Sequence, residues 1–244
     1  MFETTLPAGV PDLMRVSGFR RMLDTGGRGP ESAPSCLSSL SPSLRMDLQR
    51  FERGGRHTEL LEVIAASVRH GRGLVIQLAC DSRVLPLTIR PRERLAHCPL
   101  PPAQFLQLPL DELLVLQVEP APPRPAGAEA QAAAIHDWTC YTPLGALAWE
   151  LALRGSRREL LPEISPRAAY RIPPGVDLRG LELGGSLAAA VQRMQRQTTN
   201  LKDLASWPGF DRERAMRLLN ALYLQAGLMV TRTHPAAIND GWMP

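Results

Sequence analysis

Residues 201–231, LKDLASWPGFDRERAMRLLNALYLQAGLMVT, decide how this chain is read. Leu201, Leu204 and Ala205 share one side of a short helical run that Asn200 can cap, and Trp207-Pro208-Gly209 then forces the chain to turn. Asp211 is placed to cap a longer helix that carries Ala215, Leu218, Leu219 and Leu222 along one face and that Gly227 ends. Residues 228–231 are apolar and read as a strand. The stretch therefore predicts a short helix, a tight turn, a long helix and a strand, a scaffold that by itself names no single job.

Just upstream, SLAAAVQRMQRQ (186–197) predicts a further helix. Taken with it, residues 186–232 resemble the winged helix-turn-helix modules that end many bacterial regulatory proteins, whose closing pattern of Leu-Tyr, three residues and Gly-Leu matches Leu222-Tyr223 and Gly227-Leu228 here. The resemblance covers about a fifth of the chain. For members that read DNA it implies that the first turns of the second helix enter the major groove. Arg212, Arg214, Arg217 and Asn220 would face bases, and Lys202 and Arg193 would sit on phosphates. An arginine gripping guanine with two hydrogen bonds would carry the specificity.

The residues themselves favour a protein partner. Glu213 stands among the arginines, where it repels phosphate, and THPAAINDGWMP (233–244 after Arg232) holds no second wing strand. The end of the long helix, ALYLQAGL, is apolar nearly all round. With Leu222 and Ala226 facing the core, Tyr223 and Leu224 point elsewhere, as contact residues for another protein or for a second copy of this chain.

Charge is consistent with either partner. The net charge is +4 with a pI near 9.2. Within residues 187–244 the seven basic groups Arg193, Arg196, Lys202, Arg212, Arg214, Arg217 and Arg232 face the four acids Asp203, Asp211, Glu213 and Asp240, an excess too thin for a dense basic stripe. Lys202 is the only lysine. Aromatic residues make up 5% of the chain, which speaks against a base-stacking platform.

Outward from this segment the organisation is α+β. Residues 11–23 form a basic amphipathic helix with Leu13, Val16, Phe19 and Met22 inward, and a Gly/Ser/Pro tether comes after it, so residues 1–41 are expected to be a docking helix on a flexible lead. Residues 42–119 are expected to be a small α+β domain. Its parts are a helical SLRMDLQRF, a helix capped by Thr58 and stopped by Gly71 with Leu60, Leu61, Ile64, Ala65 and Val68 inward, and a hairpin of LVIQLAC and VLPLTI through Asp81-Ser82. Pro86 places the second strand at an edge or a bulge. Short strands at 95–98 and 115–119 flank a helical turn at 103–108. Residues 120–134, rich in Pro and Ala, read as a linker. Residues 135–244 form a mainly helical domain, with PLGALAWELALRG and RRELLPEI helical and the winged-helix-like module at 186–232.

Catalytic chemistry is hard to assemble. No phosphate loop, nucleophile elbow, His-Glu-x-x-His or paired carboxylates on a helix face occur, and the glycines at 26–29 and 184–185 lack the required followers. His97-Cys98, His136, Cys140 and Cys80 offer donors, but adjacent His and Cys make an awkward pair for a zinc tetrahedron. Neither catalytic, cofactor nor metal residues are expected. No run approaches the length of a membrane span, and four scattered cysteines with no leader-like start predict a cytoplasmic chain. The expectation is a non-enzymatic bacterial regulatory or adaptor protein working through protein contacts, with DNA binding through the 211–226 helix as the alternative.

Overall fold

The computed structural model describes residues 13–26, 41–44, 46–47, 60–122, 140–164 and 167–238. It divides into two units, Met1–Leu147 and Ala148–Pro244. Helices and antiparallel sheets occur together, so the chain is of mixed α and β structure.

The first unit is built on a five-stranded antiparallel sheet. Helix α1 (Val16–Gly26) leads in, α2 (Leu60–His70) is next, and then come β1 (Leu74–Cys80), β2 (Arg83–Arg90), a 3-10 turn, β3 (Leu95–His97), the short α3 (Pro102–Phe105), β4 (Leu114–Pro120) and β5 (Tyr141–Pro143). The strand order is β4-β1-β2-β3-β5. Asp81 takes the left-handed conformation, at φ 52°, that lets two residues close the β1-β2 hairpin. Val84 N–H donates away from β1 to Met14 O at 2.8 Å. Pro86, two residues on, shares that outward side, where β3 pairs only with Thr88–Arg90, so its missing donor breaks no ladder bond.

Phe19 of α1 and Leu13 just before it are buried, while Met22 stands 48% exposed, so the inward face is narrower than the sequence pattern. Helix α2 buries Leu60, Leu61, Val63, Ile64, Ala65 and Ala66, and Val68 is exposed instead of lining the stripe. Gly71 ends it at φ 59°, with Arg72 N–H closing the terminus onto Ser67 O at 3.2 Å. Thr58, the 27–40 part of the tether and residues 123–139 lie outside the described residues. Because β5 returns to pair with β3, the division falls after Leu147 and not within the Pro/Ala-rich stretch at 120–134.

The second unit contains most of α4 (Leu144–Arg154), then β6 (Ala169–Arg171), α5 (Gly185–Arg196), β7 (Thr199–Asn200), α6 (Leu201–Ala205), α7 (Arg212–Leu224), β8 (Met229–Thr231) and α8 (Pro235–Ile238). Its three-stranded sheet runs β7-β6-β8, all antiparallel. The central strand thus comes from upstream of α5, and the position after β8 where a second wing strand would lie holds α8, tied down by Asn200 Nδ2 donating to Ala236 O at 3.1 Å. Trp149, Ile164, Tyr170, Met194, Leu204, Leu218, Leu219 and Leu222 make the core. Each fully buried side chain of this size contributes about 2 kcal/mol of transfer free energy.

Candidate interaction surface

Both caps read from the sequence form. Asn200 Oδ1 accepts from Asp203 N at 2.7 Å at the start of α6, and Asp211 Oδ1 accepts from Arg214 N at 2.7 Å at the start of α7. Between them the chain turns at Gly209, whose φ is +79° and whose absent side chain matters twice, because a Cβ there would lie 2.9 Å from Cβ of Ser186 on α5. Glycine at this turn is fixed by backbone conformation and by close approach.

The far end of α7 differs from expectation. Ala226, not Gly227, adopts the left-handed conformation (φ 52°), and Gly227 N–H then donates to Leu222 O at 2.9 Å. Ala226 is therefore exposed instead of facing the core. A Cβ at Gly227 would stand 3.0 Å from Val176 Cγ1, so that side chain would have to give way.

The arginines of α7 part company. Arg212 and Arg214 are exposed in its first turn. Arg214 Nη1 donates to Gly209 O at 2.9 Å and its guanidinium lies 5.4 Å from the Phe210 ring. Arg217 turns inward. Its Nη1 donates to Leu153 O at 2.9 Å and Gly155 O at 2.8 Å, binding carbonyls at the end of α4, and its Nε meets Glu213 Oε1 at 3.1 Å. Asn220 is fully buried: its Oδ1 accepts from Leu161 N at 2.8 Å and its Nδ2 donates to Glu159 O at 2.9 Å.

Glu213, Arg217 and Asn220 succeed one another at spacings of four and three residues and so share one side of α7. That side is bonded to residues 153–161. The assignment of Arg217 and Asn220 to DNA bases is thus corrected, because both side chains are committed to backbone groups of their own unit. Residues 157–164 are also not the helix that RRELLPEI predicts. Arg157, buried, donates to Glu159 O at 2.9 Å and Leu160 O at 2.6 Å, so side chains take the place of helical hydrogen bonds there. Asn220 holds the same segment from 59 residues along the chain, a pairing that carries no signal in the sequence.

Lys202 and Arg193 are exposed, and Arg193 stacks 4.3 Å over the Trp207 ring. Tyr223 and Leu224 are half-buried at the end of α7, and Met229, opening β8, is 50% exposed. A cleft of about 640 Å³ lies between the 175–183 loop and α5, lined by Val176, Leu178, Leu181, Leu183, Val191 and Gln195 among others. Asp177 and Arg179 pair across 2.8 Å at its rim, which raises the Arg179 pKa.

Among the described residues no group of three or more His, Cys, Asp or Glu is arranged to hold a metal ion, and no helix is long and apolar enough to cross a membrane. His136, Trp138 and Trp242 lie outside the described residues, while Trp149 and Trp207 are core anchors. No protein-family model, curated protein or solved structure matches this chain.

Proposed function

We propose that this chain is a non-enzymatic regulatory or adaptor protein, and that residues 186–232 act as a winged-helix-like module whose work is protein contact. One observation carries the reading. The side of α7 that runs through Glu213, Arg217 and Asn220 is occupied by the chain's own 153–161 segment, which leaves only the first turn to offer a DNA groove. A recognition helix needs several side chains on base edges and several cations on phosphates. The half-buried Tyr223 and Leu224, with the exposed Met229 beyond, supply an apolar margin suited to another protein or to a second copy of this chain.

Exposed Arg193, Lys202, Arg212 and Arg214 keep duplex DNA as the second reading. Titration of the full chain with duplex DNA at two salt concentrations separates them. Protein-contact function predicts no binding that falls steeply with salt; a steep fall, abolished by Arg212→Ala with Arg214→Ala, would establish the DNA reading instead.

A further inference from the structure

Cys80, Cys98 and Cys140 take no part in that surface, and the backbones of the last two meet. Strands β3 and β5 pair Leu95 with Pro143, Ala96 with Thr142 and His97 with Tyr141. Beyond that last pair Cys98 N–H donates to Cys140 O at 3.1 Å. Leu144 N–H donates to Arg94 O at 2.9 Å four residues along, as the alternation of an antiparallel ladder requires. The first of these bonds brings the backbones of Cys98 and Cys140 together just beyond His97 and Tyr141, the last pair of the ladder. Cys140 Sγ sits 3.6 Å from Pro99 O, on the Cys98 side of the pair.

Their exposures are complementary. Cys98 is buried, whereas Cys140, the residue just before β5, is half-buried. Burial pushes the Cys98 thiol up to about 12 and the Cys80 thiol up to about 11, so neither is the first to react at neutral pH. Cys80 lies at the β1-β2 hairpin, in register with Arg83, and is not paired with either partner.

We propose that Cys98 and Cys140 are a redox-sensitive pair that forms a reversible cross-strand disulfide by exchange with a small-molecule disulfide. The Cys140 thiolate attacks one sulfur of the small disulfide, a mixed disulfide forms on Cys140, and one small thiolate leaves. Cys98 then gives its proton to that thiolate and its sulfur attacks Cys140 Sγ, expelling the second small thiolate. Two protein thiols are oxidised and one small disulfide is reduced to two thiols. The new bond fixes β5, the strand reached after residues 123–139, to β3 and closes the long loop between residues 98 and 140. A reducing compartment would keep the pair open and oxidative stress would close it.

The test uses the full chain carrying Cys36→Ser, incubated with oxidised glutathione and monitored by intact mass and non-reducing peptide mapping. The pair should lose two hydrogens, give a Cys98–Cys140 cross-linked peptide that dithiothreitol reverses, and show an upward shift of the first unit's thermal midpoint. Cys98→Ala, which keeps the site apolar, should stop at one glutathione on Cys140, and Cys140→Ala should take up none there. A persistent glutathione adduct with both cysteines present, a link through Cys80 or between chains, or no reaction at Cys140 would each overturn the proposal.

Discussion

The two ends of α7 put the same residue type to opposite uses. Arg212 and Arg214, in the first turn, are exposed, Arg214 beside the Gly209 turn and the Phe210 ring, whereas Arg217, one turn further, is spent on two backbone carbonyls at the end of α4. The difference teaches that a run of arginines on a helix-turn-helix is not a single surface. The segment packed against the helix, here residues 153–161, decides which guanidinium can meet a partner and which one holds the fold.

If this division is right, substitutions should sort by position along α7. Asn220→Ala leaves the Leu161 N–H and the Glu159 carbonyl buried without their partner, and should cost about 3 kcal/mol in urea denaturation. A loss below about 1 kcal/mol would break the comparison at its buried end. Arg217→Ala removes charged hydrogen bonds to Leu153 and Gly155 and should cost about 2 kcal/mol, with Arg217→Lys restoring it only in part because one ammonium does not reproduce both the Nη1 bonds to the two carbonyls and the Nε bond to Glu213.

Ala226→Gly should act in the opposite direction. It relieves a left-handed conformation at an exposed residue, and thermal unfolding should report a gain of about 0.5 to 1 kcal/mol. At the exposed end, Arg212→Ala should change stability by no more than about 0.5 kcal/mol. A destabilisation as large as that of Arg217→Ala would mean that the first turn is structural too. Replacing Tyr223 and Leu224 together by Ser should leave the far-ultraviolet circular dichroism unchanged while abolishing any concentration-dependent association seen by sedimentation; unfolding would mark them as core.

Local chemistry was legible in the sequence, and long-range pairing was not. Asn200 and Asp211 were readable as caps because a cap needs only its own first turn, and Asp81-Ser82 was readable as a hairpin because two β-rich runs flank it. The strand Ala169–Arg171 carries no periodic signal in its three residues, yet it is the centre of the second sheet, since its partners come from 199–200 and 229–231. Residues 157–164 have helix-forming composition but are drawn off by the Arg157 and Asn220 side chains, the second of which lies far along the chain. For the same reason Arg217 and Asn220 look available to DNA in the sequence. Tyr223 and Leu224, both half-buried, stand apart from the fully buried Leu218, Leu219 and Leu222, a separation that helical spacing alone conveys.

Amide hydrogen exchange over residues 153–161 in the full chain tests the sealed side of α7 most directly. The account predicts that the Leu161 amide exchanges slowly and becomes fast in Asn220→Ala, with the remainder of α7 still protected. Rapid exchange of Leu161 in the unaltered chain would show that the segment does not cover α7, and would return Arg217 and Asn220 to a DNA-facing surface.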